Sequence, residues 1–144
     1  MRFWDSSAIV PLLVAQASSR AVLETLEADP DVVAWWATPI ECVSALARLE
    51  REGHLAARQM VDAVRRLDAV EHAWQEVQPV ASVRESALRV LRVHALRTGD
   101  ALQLAAAIVA SEGHPADLPL VTLDDRLGTA AEREGFVVVR PTPG

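Results

Sequence analysis

The chain has 144 residues, 51% of them apolar, enough to bury one core and too few for two. All 14 basic residues are arginine, which excludes a lysine-bearing phosphate loop and a lysine Schiff base. The single Cys42 excludes an internal disulfide and a cysteine-rich zinc cluster and is compatible with a reducing, cytoplasmic setting. A net charge of -6 argues against avid nonspecific duplex binding, yet leaves room for a local basic track or a metal ion at an acidic site.

The four histidines, His54, His72, His94 and His114, form neither a His-x-x-x-His pair nor a triad with a serine or cysteine, so zinc- and serine-hydrolase readings are weak. Residues 2–4 read as a short buried strand that stops on Asp5, and residues 6–14 as a helix with Ser6 or Ser7 near its cap. Arg2, the apolar run 8–15 and Ala15-Gln16-Ala17 imitate a signal peptide, but Asp5 precedes the run and Pro11 interrupts it. The segment therefore reads as core. No stretch approaches the ~20 apolar residues that span a bilayer, so no membrane partner is expected.

A helix is predicted over 18–28 with Val22, Leu23 and Leu26 on one face, then a turn at Asp29-Pro30-Asp31 and a strand over 32–37. Thr38-Pro39-Ile40-Glu41 has a hydroxyl cap, a proline and an acid ahead of the apolar run 42–49, the pattern of a capping box. Gly53-His54 breaks the helix. Residues 55–73 resume it, with Met60, Val64, Leu67 and Val70 at helical spacing and Arg58, Arg65 and Arg66 on the other face, near Arg48 and Arg51 in sequence.

Residues 74–80 read as extended and 82–96 as a helix bearing Arg84, Arg89 and Arg92, followed by Arg97. Thr98-Gly99-Asp100 opens the alanine-rich helix 101–111, and 113–119 is a loop. A strand over 120–123 ends on Asp124-Asp125, a short helix follows over 129–134, and a last strand over 136–139. The alternation implies an α/β fold with a mostly parallel sheet covered on both faces, one domain over 1–140 with a tail at 141–144.

Four acids, Asp5, Glu41, Asp100 and Asp124, thus sit at strand-to-helix junctions, which a parallel sheet gathers along its carboxyl edge, where such folds bind ligands. Capping alone accounts for each, with Gln103 completing a box for Asp100. Like charges within ~4–6 Å nevertheless need a counter-charge. Magnesium or manganese suits carboxylate and water ligands and activates water for phosphodiester hydrolysis.

The segments Asp5-Ser6-Ser7-Ala8, Thr38-Pro39-Ile40-Glu41-Cys42-Val43-Ser44-Ala45, Thr98-Gly99-Asp100-Ala101-Leu102-Gln103 and Leu120-Val121-Thr122-Leu123-Asp124, with Arg126-Leu127, together resemble the PIN-domain family, in particular VapC-like toxins of toxin–antitoxin pairs. The resemblance covers nearly the whole chain in the right order. It implies a three-layer α/β/α sandwich, an endoribonuclease using Mg2+ or Mn2+, an RNA substrate, a homodimer, and inhibition by a cognate antitoxin whose tail occupies the active groove. Carried over by position, Asp5, Glu41, Asp100 and Asp124 match the acidic metal site. Ser6, Ser7 and Thr122 match its polar flank. The loop 113–119 lengthens the interval before the last acid, so Asp125 and Asp117 are rivals for the fourth position, Asp125 the closer.

In the mechanism so implied, no protein nucleophile takes part and arginines position the RNA backbone. Trp35 and Trp36 invite base stacking, but neighbouring strand residues face opposite ways, so at least one belongs to the core. A phosphoacceptor receiver domain requires a lysine that is missing, and a haloacid-dehalogenase-type phosphatase requires Asp-x-Asp where this chain has Asp-Ser-Ser. The alternative is a catalytically inactive PIN-like module that binds RNA or protein; the presence of all four acids counts against it.

Overall fold

A computed structural model describes residues 1–143; Gly144, the end of the expected tail, lies outside the described residues. Five short strands, β1 (Arg2–Trp4), β2 (Val32–Trp35), β3 (Gln75–Val77), β4 (Leu120–Val121) and β5 (Val138–Val139), form one sheet in the order β3-β2-β1-β4-β5. Every pairing is parallel, with Phe3 opposite Val33 on one side and Leu120 on the other. β1 is thus the central strand, and all strands point their carboxyl ends at one edge.

Helices cover both faces, as expected of an all-parallel sheet. The strand pleat assigns alternate residues to opposite layers. Phe3, Val33, Trp35 and Leu120 pack with α5 (Ala81–Val93), α6 (Thr98–Ala110) and α7 (Asp125–Arg133). Trp4, Val32, Ala34 and Val121 pack with α1 (Ser6–Leu13), α2 (Ser19–Ala28), α3 (Thr38–Arg51) and α4 (Ala57–Ala73). The run Ala105-Ala106-Ala107 of α6 is fully buried, so that helix lies close against the sheet and α5. A larger side chain there would force the layers apart, at about 1–3 kcal/mol.

Several boundaries move from the sequence reading, each for a local reason. Thr38 is not a cap: α3 already includes it, Ala37 occupies the cap position, and the amides of Ile40 and Glu41 bond to the Ala37 carbonyl. Likewise Arg97, not Asp100, precedes α6, placing Asp100 within the first turn. The helix expected over 129–134 starts at Asp125, because the Asp124 carboxylate accepts a hydrogen bond from the Leu127 amide and nucleates a full turn earlier. The loop 113–119 contains a 3-10 turn, Pro115–Asp117. Leu23, expected on the apolar face of α2, is exposed, as is Val64 of α4, whose buried residues are Ala63 and Leu67.

Candidate functional site

The carboxyl edge of the sheet brings together three of its strands' exits. β1 leads into Asp5, which is only 2% exposed and caps α1: its Oδ1 accepts from the Ser7 amide. Its Oδ2 accepts from the Thr122 hydroxyl, 2.5 Å away and 117 residues along the chain. Thr122 Oγ1 also accepts from the Asp124 amide at 3.0 Å, and Ser7 Oγ accepts from the Leu123 amide at 2.9 Å. One hydroxyl-and-carboxylate network therefore ties the start of α1 to the β4–α7 junction.

Glu41 reaches the same rim from α3. With no capping duty, its Oε2 accepts from the Ser6 hydroxyl at 3.3 Å and its Oε1 from Gln103 Nε2 at 2.8 Å. Gln103 is buried beneath it and also donates to Thr38 Oγ1 at 3.0 Å, while its own Oε1 is buried without a partner. A methyl group placed on Gly99 would lie 3.6 Å from Glu41 Oε2, so the first turn of α6, with Asp100, sits directly beside Glu41.

Charge at the rim follows from this crowding. Burial pushes the Asp5 carboxyl up to about 6, against the pull of its bonds from Ser7 and Thr122, and the nearby Asp124 charge adds to the rise. Burial also raises Glu41, opposed by Gln103 and reinforced by Asp5 and Asp100. Burial and Asp124 raise Asp100, opposed by Arg97 and Arg126. Cys42, buried next to Glu41 and Asp5, is pushed up to about 12 and is no nucleophile at neutral pH.

Each of the four acids singled out from the sequence thus lies within electrostatic reach of two others, and Ser6, Ser7 and Thr122 bond to Asp5 or Glu41. Asp125 is exposed and faces a separate cavity beside α7. Asp117 is exposed in the turn that precedes β4, at the opposite, amino edge of the sheet. Trp35 is 5% exposed and belongs to the core, whereas Trp36, just past β2, is 45% exposed. Gln103 is the polar residue whose contact with this rim the sequence reading missed. Its spacing of three from Asp100 puts both on one face of α6, a signal equally well explained by capping.

The donors at the rim are all oxygens, a set that suits a hard divalent cation. Among the described residues no three His, Cys, Asp or Glu side chains stand close enough to form a ready-made cage. A magnesium-like ion that keeps several of its waters requires none.

A doubly covered, all-parallel sheet with a carboxylate rim defines the class of protein. The family model of the PIN domain matches residues 2–133, and the chain belongs to the PIN domain family. It is similar to Ribonuclease VapC45 of Mycobacterium tuberculosis (strain CDC 1551 / Oshkosh), 32% identical over 134 residues that cover 92% of this chain and 90% of that protein. Its fold matches that of Mycobacterium tuberculosis VapC20, a sarcin-ricin loop cleaving toxin, with a TM-score of 0.67 and 22% identity over 98% of this chain and all of that one. It also matches a chain of a toxin–antitoxin complex from Klebsiella pneumoniae, with a TM-score of 0.67 and 16% identity over the full length of both.

Proposed function

We propose that the protein is a magnesium- or manganese-dependent endoribonuclease that acts in the cytoplasm as the toxin of a toxin–antitoxin pair. The observation that carries this reading is the convergence of four acids at one edge of the sheet, where burial above all pushes Asp5 up to about 6 and raises Glu41 and Asp100. A fold keeps such a destabilising arrangement where a cation offsets it. The kinship with Ribonuclease VapC45 supplies the reaction class.

Asp5, Glu41, Asp100 and Asp124 would hold the ion, directly or through its waters. When bound, such an ion lowers the pKa of a coordinated water and neutralises charge on the phosphate and leaving oxygen. Ser7 and Thr122 fix both oxygens of Asp5, and Ser6 and Gln103 fix both oxygens of Glu41, so the carboxylates are oriented before substrate arrives. Asp124, anchored by the Leu127 amide, would complete the site or orient the attacking water. Arg97 and Arg126, close enough to Asp100 to oppose the rise of its pKa, would guide the RNA backbone toward the rim.

The antitoxin is the expected protein partner, its tail entering the active groove. A second groove of about 580 Å3, lined by leucines such as Leu12 and Leu23 and by His54, Asp62 and Arg66, offers a mixed apolar and polar seat for more of it. A homodimer is the expected assembly. The decisive experiment incubates structured RNA with the purified protein in manganese, in EDTA, and with Asp5→Asn. Cutting that requires manganese and Asp5 is the expected result. Cutting that ignores both sinks the metal-dependent reading, and RNA binding without cutting turns it into an inactive PIN-like module.

A further inference from the structure

Between the α5–α6 connection and one face of α7 lies a cavity of about 410 Å3, beside the acidic rim and lined by none of its four acids. Its volume falls within the ~300–1,000 Å3 typical of small-molecule sites. α7 turns Arg126, Thr129, Ala130 and Arg133 toward it, the i, i+3, i+4 and i+7 positions of one helical face. An arginine therefore stands at each end, about 10 Å apart along the axis. Among the described residues neither arginine forms an ion pair.

The facing wall is Leu96 and His94. The His94 side chain is 5% exposed, and its Nε2 lies 2.7 Å from Glu134 Oε2. Arg89 grips the same carboxylate with two hydrogen bonds, of 2.6 and 3.3 Å. The ring is thus clamped through one nitrogen, while Nδ1 makes no hydrogen bond among the described residues. The cavity adjoins the rim, since Asp125 on its wall follows Asp124 and Arg126 lies within electrostatic reach of Asp100.

We propose that this cavity is a subsite for one nucleotide of single-stranded RNA next to the bond being cut. The base lies on Leu96, and Arg126 and Arg133 take the flanking phosphates. His94, held in place by Glu134 and Arg89, offers its free nitrogen to the base edge. The inference rests on the ribonuclease reading and adds a specificity element to it. An apolar side chain bracketed by two cations suits a base between phosphates, as in other single-strand sites. An acidic peptide would satisfy the two arginines but leave the Leu96 side chain without a planar partner.

The test reads binding without cleavage: anisotropy of a fluorescein-labelled, eight-nucleotide RNA of mixed sequence, titrated in EDTA with protein carrying Asp5→Asn. In that background Arg133→Gln, which removes a phosphate contact, and Thr129→Tyr, which fills the cavity from its exposed rim, each weaken binding five- to tenfold. Arg133→Gln also makes the salt dependence shallower by about one. Arg20→Gln, the same charge change on distant α2, leaves binding unaltered. If both cavity variants bind like Arg20→Gln, or if a synthetic acidic peptide occupies the cavity in preference to the RNA, the subsite is overturned. Two unrelated substitutions keep the result readable should one fail to fold. Because no cleavage is measured, failure here leaves the metal-dependent reaction standing, and failure of that reaction leaves this binding result standing.

Discussion

At the carboxyl edge of the sheet, acids face acids; in the corner between α5 and α7, the acid Glu134 is enclosed by Arg89 and His94. The two regions use the same functional group to opposite ends. Hydrogen bonds and the Arg89 charge hold the Glu134 carboxyl below its ordinary value, whereas burial drives Asp5, Glu41 and Asp100 above theirs. A carboxylate with cationic partners strengthens the fold. One buried among its own kind weakens the fold and is poised for a cation.

The largest expected effect comes from breaking the rim. Asp5→Asn lowers RNA cleavage at least about a hundredfold, measured as kcat/KM in manganese. The same change raises stability in EDTA at pH 7.5 by up to about 3 kcal/mol, because the carboxyl sits roughly two pH units above its unfolded value. The sign follows from the folded pKa lying above 3.8. The penalty is absent below pH 3.8, grows as pH rises toward about 6, and is full beyond it. Metal-free melts therefore show the parent losing more stability from pH 4 to 6.5 than the variant, which retains the contributions of Glu41 and Asp100.

Next in size is Gln103→Leu, which strips Glu41 of its donor and leaves burial to raise its pKa further. Activity falls about 10–100-fold, the range seen when a supporting partner of a metal ligand is lost. The acid limb of the pH–rate profile moves to higher pH, a shift that a merely structural loss would not produce.

In the opposite corner, Glu134→Gln leaves the Arg89 guanidinium and the His94 ring without their shared carboxylate and costs about 1–3 kcal/mol at pH 7 by chemical denaturation. Here the folded pKa lies below the unfolded value of 4.5. The contribution is present above that value and lost as pH falls through the lower one, so parent and variant converge in acid. Smallest is Glu132→Gln, which breaks the exposed pair with Arg140 and changes stability by less than about 0.5 kcal/mol. A large effect there would mean that the environments of the three acids differ less than their burial implies.

The layered fold and the junction positions of the four acids were legible in the sequence because both follow from local signals: short apolar strands, helical spacing between them, and an acid where a strand gives way to a helix. What joins those acids was not legible. Ser7 and Thr122 are 115 residues apart and Gln103 and Glu41 62 apart, and no periodicity reports which side chains meet across layers. The capping-box reading of Thr38 and Glu41 failed for a related reason. A buried threonine bonded to Gln103 is fixed by tertiary contact, which overrides the local preference. Nothing in the sequence paired His94 with Glu134, since neither belongs to a motif.

The central position of β1 between β2 and β4 has a consequence in time. Its neighbour on one side, Val32, is synthesised soon afterwards, but its neighbour on the other, Val121, arrives only near the end of translation. Until then Asp5 lacks the hydroxyl of Thr122 and the companion charge of Asp124. A chain that ends before β4 therefore lacks two of the groups that surround Asp5, and the rim is assembled only once the last strands have docked.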